Sequence, residues 1–579
     1  MGAADGTVMS VLPVILAALL WHPAADSSPR PDPSATTRAR RGGTLRFSGS
    51  QPPKSFNAYV DNNSYTAMLF SLMYETLLDS DPETGEPVPA LARRWATSDD
   101  GREFVFELDP RAKWSDGRPV TAADVKWTFD AVTDPRSDTG PWKPTLAFFE
   151  TPEAVDERTV RFVKKGDGPK DWRDVLNCSS FWILPRHAFE GRDFNKLDFV
   201  GAVSGGAYFI SRAVEQVETE LSRHGCWWRQ DLPQCRGLCN FDRIVVRYFA
   251  ENENAFEAFR KRRIDVFPVY SARIYADGTR TDEFARNLVL KRRVRNHAPI
   301  GFQGFAMNMR RPPFDRLEVR QAMAKLVDRE TMNRTMMNGA YFLLNSYYQD
   351  LYDAGHPCTN EVWRYDVDGA RALLARAGLG GGFSFSFLSR SATEDKFLSL
   401  FSRALAECGV KMEIVRKDFA AWMRDMDEFN FDMTWASWGA GVVKYPELSW
   451  SSAEAARRGS NNITGFSDPE VDRLIAAEKG MESAADRLAA YREIDARVAA
   501  AVPYVLLWQT DSTRLLYWNK FGTPRTVLSR LGREDSALSH WWYDADRAEE
   551  LERAARGGTC LPAVPELVDY DERTGGDGR

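Results

Sequence analysis

A strand, a tight turn and a capped helix follow one another without a break in residues 101–132, GREFVFELDPRAKWSDGRPVTAADVKWTFDAV. Phe104, Phe106 and Leu108 alternate with Glu103, Val105 and Glu107, the period-two pattern of a half-buried strand. Asp116-Gly117 supplies turn chemistry, because glycine accepts positive φ and aspartate can bond its own backbone. Thr121-Ala122-Ala123-Asp124 predicts a helix start: the Thr121 hydroxyl can cap orphan N–H groups, and Asp124 sits in the first turn. Val125, Phe129 and Val132 follow at helical spacing and give that helix one apolar side.

A chain of 579 residues exceeds what one core organises, since single cores stop growing near about 250–300 residues. Hydrophobic residues at 43% suit a globular protein, and a net charge of −6 over this length gives no case for nucleic acid. The apolar run at residues 8–21, followed by His22-Pro23-Ala24-Ala25, has the length of a signal-peptide core and is short for a bilayer span. No Lys or Arg precedes it, and Asp5 stands there instead. Residues 1–25 are read as a signal peptide and residues 26–41, rich in Pro, Ser and Arg, as a flexible leader. No cysteine follows the run to carry a lipid, so the expected product is exported to a periplasm and soluble.

Seven cysteines are an odd number: Cys178, Cys226, Cys235, Cys239, Cys358, Cys408 and Cys560. His224, Cys226, Cys235 and Cys239 cluster, but the gap from Cys226 to Cys235 is wider than a zinc knuckle's, which favours a local disulfide over a metal. The chain has no G-x-S-x-G and no H-E-x-x-H, and none of its six histidines pair at i, i+4. No enzyme, metal or cofactor is expected.

The phrase at residues 114–125, WSDGRPVTAADV, resembles the signature of the extracellular solute-binding proteins of the peptide-transport type, family 5, the ligand receptors of ABC importers. The family's other phrases follow: Gly42-Gly43-Thr44-Leu45, Tyr74-Glu75-Thr76-Leu77, Pro89-Ala90-Leu91-Ala92 with Trp95, and Asn308 through Pro313-Phe314 to Arg320-Gln321-Ala322. Ser204-Gly205-Gly206-Ala207-Tyr208 matches a further one, with Ala207 in place of proline. Residues 228–241 and Gly459-Ser460-Asn461-Asn462 are similar to a Yej-type subgroup linked to oligopeptide and microcin C uptake. The resemblance covers about residues 42–544.

It implies an α/β, two-lobed periplasmic binding protein of type II, cluster C, with an extra subdomain and a ligand cleft between the lobes. The expected boundaries are 42–80, 205–299 and 503–545 for lobe 1, 81–204 for the αβ subdomain, 300–502 for lobe 2, and 546–579 for a polar tail with a helix fragment and then disorder. A helix is predicted over 64–78, and a strand, helix and strand over 240–267 as a βαβ crossover.

In the family an extended peptide pairs with lobe backbone as an added strand. The candidate ligand contacts are Asn57 and Tyr59 in the opening loop; Trp435, Ser437, Trp438, Gly439, Ala440 and Gly441 where a strand runs into a loop; and Tyr504. Trp438 is expected in the cleft, whereas Trp435, alternating with Met433, reads as core. Glu75 is read as a solvated helix end and His187 as a structural histidine. The family's loop holds the peptide's α-amine with an aspartate; here Gly441 stands near its place, and the Yej-type subgroup lacks that aspartate too. Glu447 and Asp61 are the nearest alternative acids. The expected partners are a peptide ligand and the transmembrane permease subunits of an ABC transporter, with the chain a monomer. The alternative reading is a secreted glycan-binding or glycan-cleaving protein.

Overall fold

The computed structural model describes Asp32 and residues 35–36, 38–61, 63–140 and 142–574. The expected signal peptide lies outside the described residues. The chain divides into two compact units, one of Met1–Pro268, Thr281–Val294 and Arg514–Arg579, the other of Val269–Arg280 and Arg295–Thr513.

In the first unit Glu103–Leu108 is a strand and Ala122–Thr133 a helix, as the periodicities predict. Both the backbone N–H and the hydroxyl of Thr121 donate to one Asp124 oxygen at 2.8 Å, while the other accepts from the Arg186 N–H at 2.8 Å. Asp124 thus starts the helix and fastens a turn 62 residues later. The apolar side of the helix, Val125, Phe129 and Val132, is buried, each residue stabilising the fold by about 1.5–3 kcal/mol. Between strand and helix the Gly117 N–H donates to the Trp114 carbonyl at 2.9 Å, with Gly117 at φ 87°, where a side chain would be strained. His187 closes on this turn, its Nε2 lying 2.8 Å from the Asp116 carboxylate, the structural role expected of it.

An antiparallel sheet takes Ala92–Thr97, Glu103–Leu108, Thr159–Val163 and Glu153–Ala154 in that order. A larger, eight-stranded sheet runs in space Leu567–Asp569, Val289–Arg295, Thr513–Trp518, Val266–Pro268, Thr44–Gly49, Arg243–Tyr248, Glu218–Arg223 and Tyr208–Val214. Thr44–Gly49 pairs in parallel with Arg243–Tyr248 on one side and Val266–Pro268 on the other. The helix Asn252–Arg260 joins those two flanking strands, which is the predicted β–α–β succession. Leu45, Phe47, Phe104, Phe106, Val246 and Tyr517 belong to one core, so residues 81–204 share the interior of this unit.

Three expectations need correction. The helix over 64–78 is Ser64–Met73, because Tyr74 turns extended and the next residues bond elsewhere: Gly205 and Gly206 N–H donate to Met73 O, and Leu77 N–H to Ser179 O. The return at residue 503 comes later. Tyr504–Leu506 pairs antiparallel with Phe302–Met307 inside the second unit, and Thr513–Trp518 is the strand that rejoins the first. The polar tail is ordered through residue 574: Asp544 caps the helix Ala545–Gly557, and Leu567–Asp569 forms the sheet edge with Val568 and Tyr570 buried. Strand pairing needs backbone groups more than apolar pattern, which is why composition hid it.

The second unit is built on a five-stranded mixed sheet, in the order Lys411–Arg416, Ser384–Ser389, Met433–Trp438, Phe302–Met307, Tyr504–Leu506. Alternation sorts its side chains into two cores, one on each face. Phe305, Met307, Phe387, Met433 and Val505 pack in one; Phe302, Ala306, Leu388, Ala436, Tyr504 and Leu506 pack in the other. Among the described residues no helix is long and apolar enough to cross a membrane.

Candidate functional site

Met433–Trp438 is a strand because its neighbours on both sides supply ladders: Phe302–Met307 antiparallel, Ser384–Ser389 parallel. Trp435 and Trp438 are three apart, an odd step, and so face opposite sides of the sheet. Trp435 packs against the core of Phe305, Phe397 and Trp508, its indole N–H donating to Gln303 Oε1 at 3.1 Å. This is the core position the alternation with Met433 predicts. Trp438 packs on the other face, half-buried, with Nε1 donating to the Tyr504 hydroxyl at 3.1 Å. Tyr504 is 3% exposed among Phe302, Tyr347 and Trp450, and burial pushes its hydroxyl pKa up. It braces Trp438 from beneath and presents no surface of its own.

Beyond Trp438 the chain leaves the sheet. Ser437, Gly439 and Gly441 are exposed and Ala440 half-buried, and Val442, Tyr445 and Leu448 show 42%, 38% and 43% of their surfaces. The stretch thus exposes Val442 and Tyr445 on the loop and Leu448 on the short helix Pro446–Trp450 that follows it. It is nonetheless held firmly. The Lys444 side chain, 4% exposed, puts its ammonium 2.5 Å from Asp350 Oδ2 and 2.8 Å from the Gly441 carbonyl. A buried ion pair of this kind holds its geometry because removing either partner strands the other charge. Glu447, the nearest acid along the loop, is paired with Lys479 at 3.6 Å.

The first unit's candidates lie inside the fold. Asn57 is fully buried, its amide donating to Phe194 O at 2.8 Å and its oxygen accepting from the Tyr59 N–H at 3.1 Å. Tyr59, 1% exposed, donates to Trp182 O within a ring of Phe70, Trp142, Trp182 and Phe194. Both are core residues here, a correction to the ligand role expected for them. Asp61 is likewise engaged, accepting from Lys54 N at 2.8 Å and Thr66 Oγ1 at 2.9 Å, so it holds the opening loop.

Glu75 also differs from expectation: it is 8% exposed and not a solvated helix end. Its carboxylate accepts from Trp227 Nε1 at 3.0 Å and Trp228 Nε1 at 2.8 Å, and meets the buried Arg229 at 3.5 Å. Burial raises its pKa, against the opposing pull of Arg229. The pattern W-W-R after a cysteine was the available signal, unreadable without knowing that residue 75 lies opposite. The neighbouring cysteines form no disulfide. Cys226 is exposed, while burial pushes the Cys235 thiol up to about 11 and the Cys239 thiol up to about 12. Thiols so raised are poor nucleophiles at neutral pH.

Comparison with known proteins places this arrangement. The profile described as bacterial extracellular solute-binding proteins, family 5 Middle, matches residues 86–459. The chain is 26% identical over 551 residues to the probable peptide-binding protein YejA of Agrobacterium fabrum, covering 85% of this chain and 88% of that one. It is 26% identical over 507 residues to the peptidoglycan-binding protein YepA of the same organism, covering 78% and 82%. Among solved structures it superposes on the periplasmic binding protein DppA of Helicobacter pylori in complex with the peptide STSA. The TM-score is 0.68 at 18% identity, over 87% of this chain and 99% of that one. The relatives are named for binding, and the likeness to Yej-type proteins extends over most of the chain.

Proposed function

The chain belongs to the bacterial extracellular solute-binding proteins of family 5, and from that premise we propose that it is the periplasmic substrate-binding component of an ABC importer. It captures an oligopeptide or modified peptide and delivers it to transmembrane permease subunits, acting as a monomer. The cargo is held without reading a free N-terminus.

The observation that carries this reading is Lys444. Where the family's short-peptide receptors set an aspartate to hold a cargo ammonium, this loop folds its own ammonium inward. Lys444 bonds the Gly441 carbonyl and the Asp350 carboxylate. Asp350, the acid this loop does meet, is therefore already neutralised from within the protein, and an α-ammonium could claim it only by displacing Lys444 and leaving that charge buried without a partner. Glu447 and Asp61, the other acids considered, already serve Lys479 and the opening loop. The stretch from Ser437 to Gly441, exposed at Ser437, Gly439 and Gly441, suits an extended peptide backbone, which gains affinity from main-chain hydrogen bonds and leaves side chains loosely read. Trp438 and the exposed Val442, Tyr445 and Leu448 add apolar surface. A peptidoglycan fragment that keeps its muramic acid meets the same terms, because the lactyl amide then caps the peptide N-terminus. The name of the relative YepA supports including it among the cargoes.

Native mass spectrometry of protein purified without refolding tests the reading. The expected spectrum shows one cargo molecule per chain, and fragmentation of that cargo gives amide-bond losses. A cargo without amide bonds, or turnover of peptide or glycan by the purified protein, overturns it.

A further inference from the structure

The first unit carries a recess of about 150 Å³ between the end of the helix Asn252–Arg260 and the short helix Asp282–Ala285. Its floor is apolar: Phe259, Val289 and Trp518 are buried and Phe284 half-buried. The Trp518 indole is fixed there by donating to Phe259 O at 3.1 Å. The rim carries four charges that sum to zero, from Glu257, Arg260, Lys261 and Glu283. Two of them satisfy each other, with Arg260 Nη1 2.9 Å from Glu257 Oε1. Lys261 and Glu283 are exposed and carry no ion pair among the described residues; the Thr281 hydroxyl donates to Glu283 Oε2 at 2.5 Å and turns it.

These features select a ligand. The volume is below the roughly 300–1,000 Å³ of sites for drug-sized molecules, so the occupant is small. An apolar floor asks for an apolar side chain. One cation and one carboxylate on the same rim, neither of them in an ion pair among the described residues, ask for a molecule that carries both charges close together. We propose that this recess is a second ligand site, which takes a free apolar α-amino acid with its carboxylate on Lys261, its ammonium on Glu283 and its side chain on the Phe259–Trp518 floor. A peptide end offers only one of the two charges next to its terminal side chain, so the site distinguishes free amino acids from peptides. It is independent of the cargo loop.

Equilibrium dialysis of the cargo-free protein with radiolabelled L-phenylalanine reads this directly. The expected result is saturable binding at one site per chain, weakened at least tenfold by Lys261→Ala and by Glu283→Gln and unchanged in Trp438→Ala. N-acetyl-L-phenylalanine and L-phenylalanine amide should each compete at least tenfold less well than the parent, a comparison that needs no variant to fold. Absence of saturable binding at millimolar concentration overturns the proposal. So does indifference to both rim substitutions, equal competition by the two blocked analogues, or loss of binding in Trp438→Ala. Peptide capture by the cargo loop can fail or succeed without altering any of these outcomes.

Discussion

Trp438 is half-buried, its indole donating to Tyr504 and its side chain packed against the core on its side of the sheet. Under the proposed function a cargo covers its remaining surface, and covering an aromatic side chain stabilises a complex by about 1.5–3 kcal/mol. Trp438→Ala should weaken cargo affinity more than tenfold by calorimetry, since about 1.4 kcal/mol is a decade. Unchanged affinity would leave Trp438 as a brace for the loop. At this scale the core position of Trp435 was legible, because period-two alternation is local: Trp435 shares its parity with Met433, and Trp438 does not. It could not do so for Asn57 and Tyr59, whose partners Phe194 and Trp182 lie far along the chain, nor for Glu75, whose indole and guanidinium partners lie beyond residue 226. A polar residue near a family phrase looks the same whether its partner is a ligand or a distant carbonyl.

The helix Ala484–Ala501 shows how one element fixes its surroundings. Asp495 on it is fully buried and accepts from Tyr347 N at 2.8 Å, Tyr352 Oη at 2.8 Å and Asn360 Nδ2 at 2.7 Å, which ties residues 347–360 to the helix. Burial raises its pKa, and these hydrogen bonds offset only part of that. An acid whose folded pKa lies above its unfolded one binds extra protons when folded, so between the two values stability falls as pH rises. The melting temperature of the wild type should therefore fall relative to that of Asp495→Asn as pH rises from the ordinary carboxylate value of about 4. Parallel curves would mean that Asp495 titrates alike in both states. Elements with local causes were legible from sequence: the strand at 103–108, the helix opened by Thr121 and Asp124, the succession across 240–267. The helix at 64 stopped early and the tail gained a strand because backbone groups of distant residues claimed them.

For the whole molecule, family wording gave the fold class, while the unit boundaries depended on which sheet claimed each strand. Tyr504–Leu506 is a continuous apolar run that would suit either sheet, and only its pairing with Phe302–Met307 assigns it to the second unit. The central claim is that this receptor holds its cargo without reading an N-terminal amine, because Lys444 already occupies the Gly441 carbonyl of the loop and the Asp350 carboxylate packed against it. Calorimetry with matched oligopeptides, free and N-acetylated, tests it most directly. The account predicts equal affinities within threefold, or tighter binding of the acetylated form. A loss of tenfold or more on acetylation would mean that a buried carboxylate still reads the amine, and would contradict it.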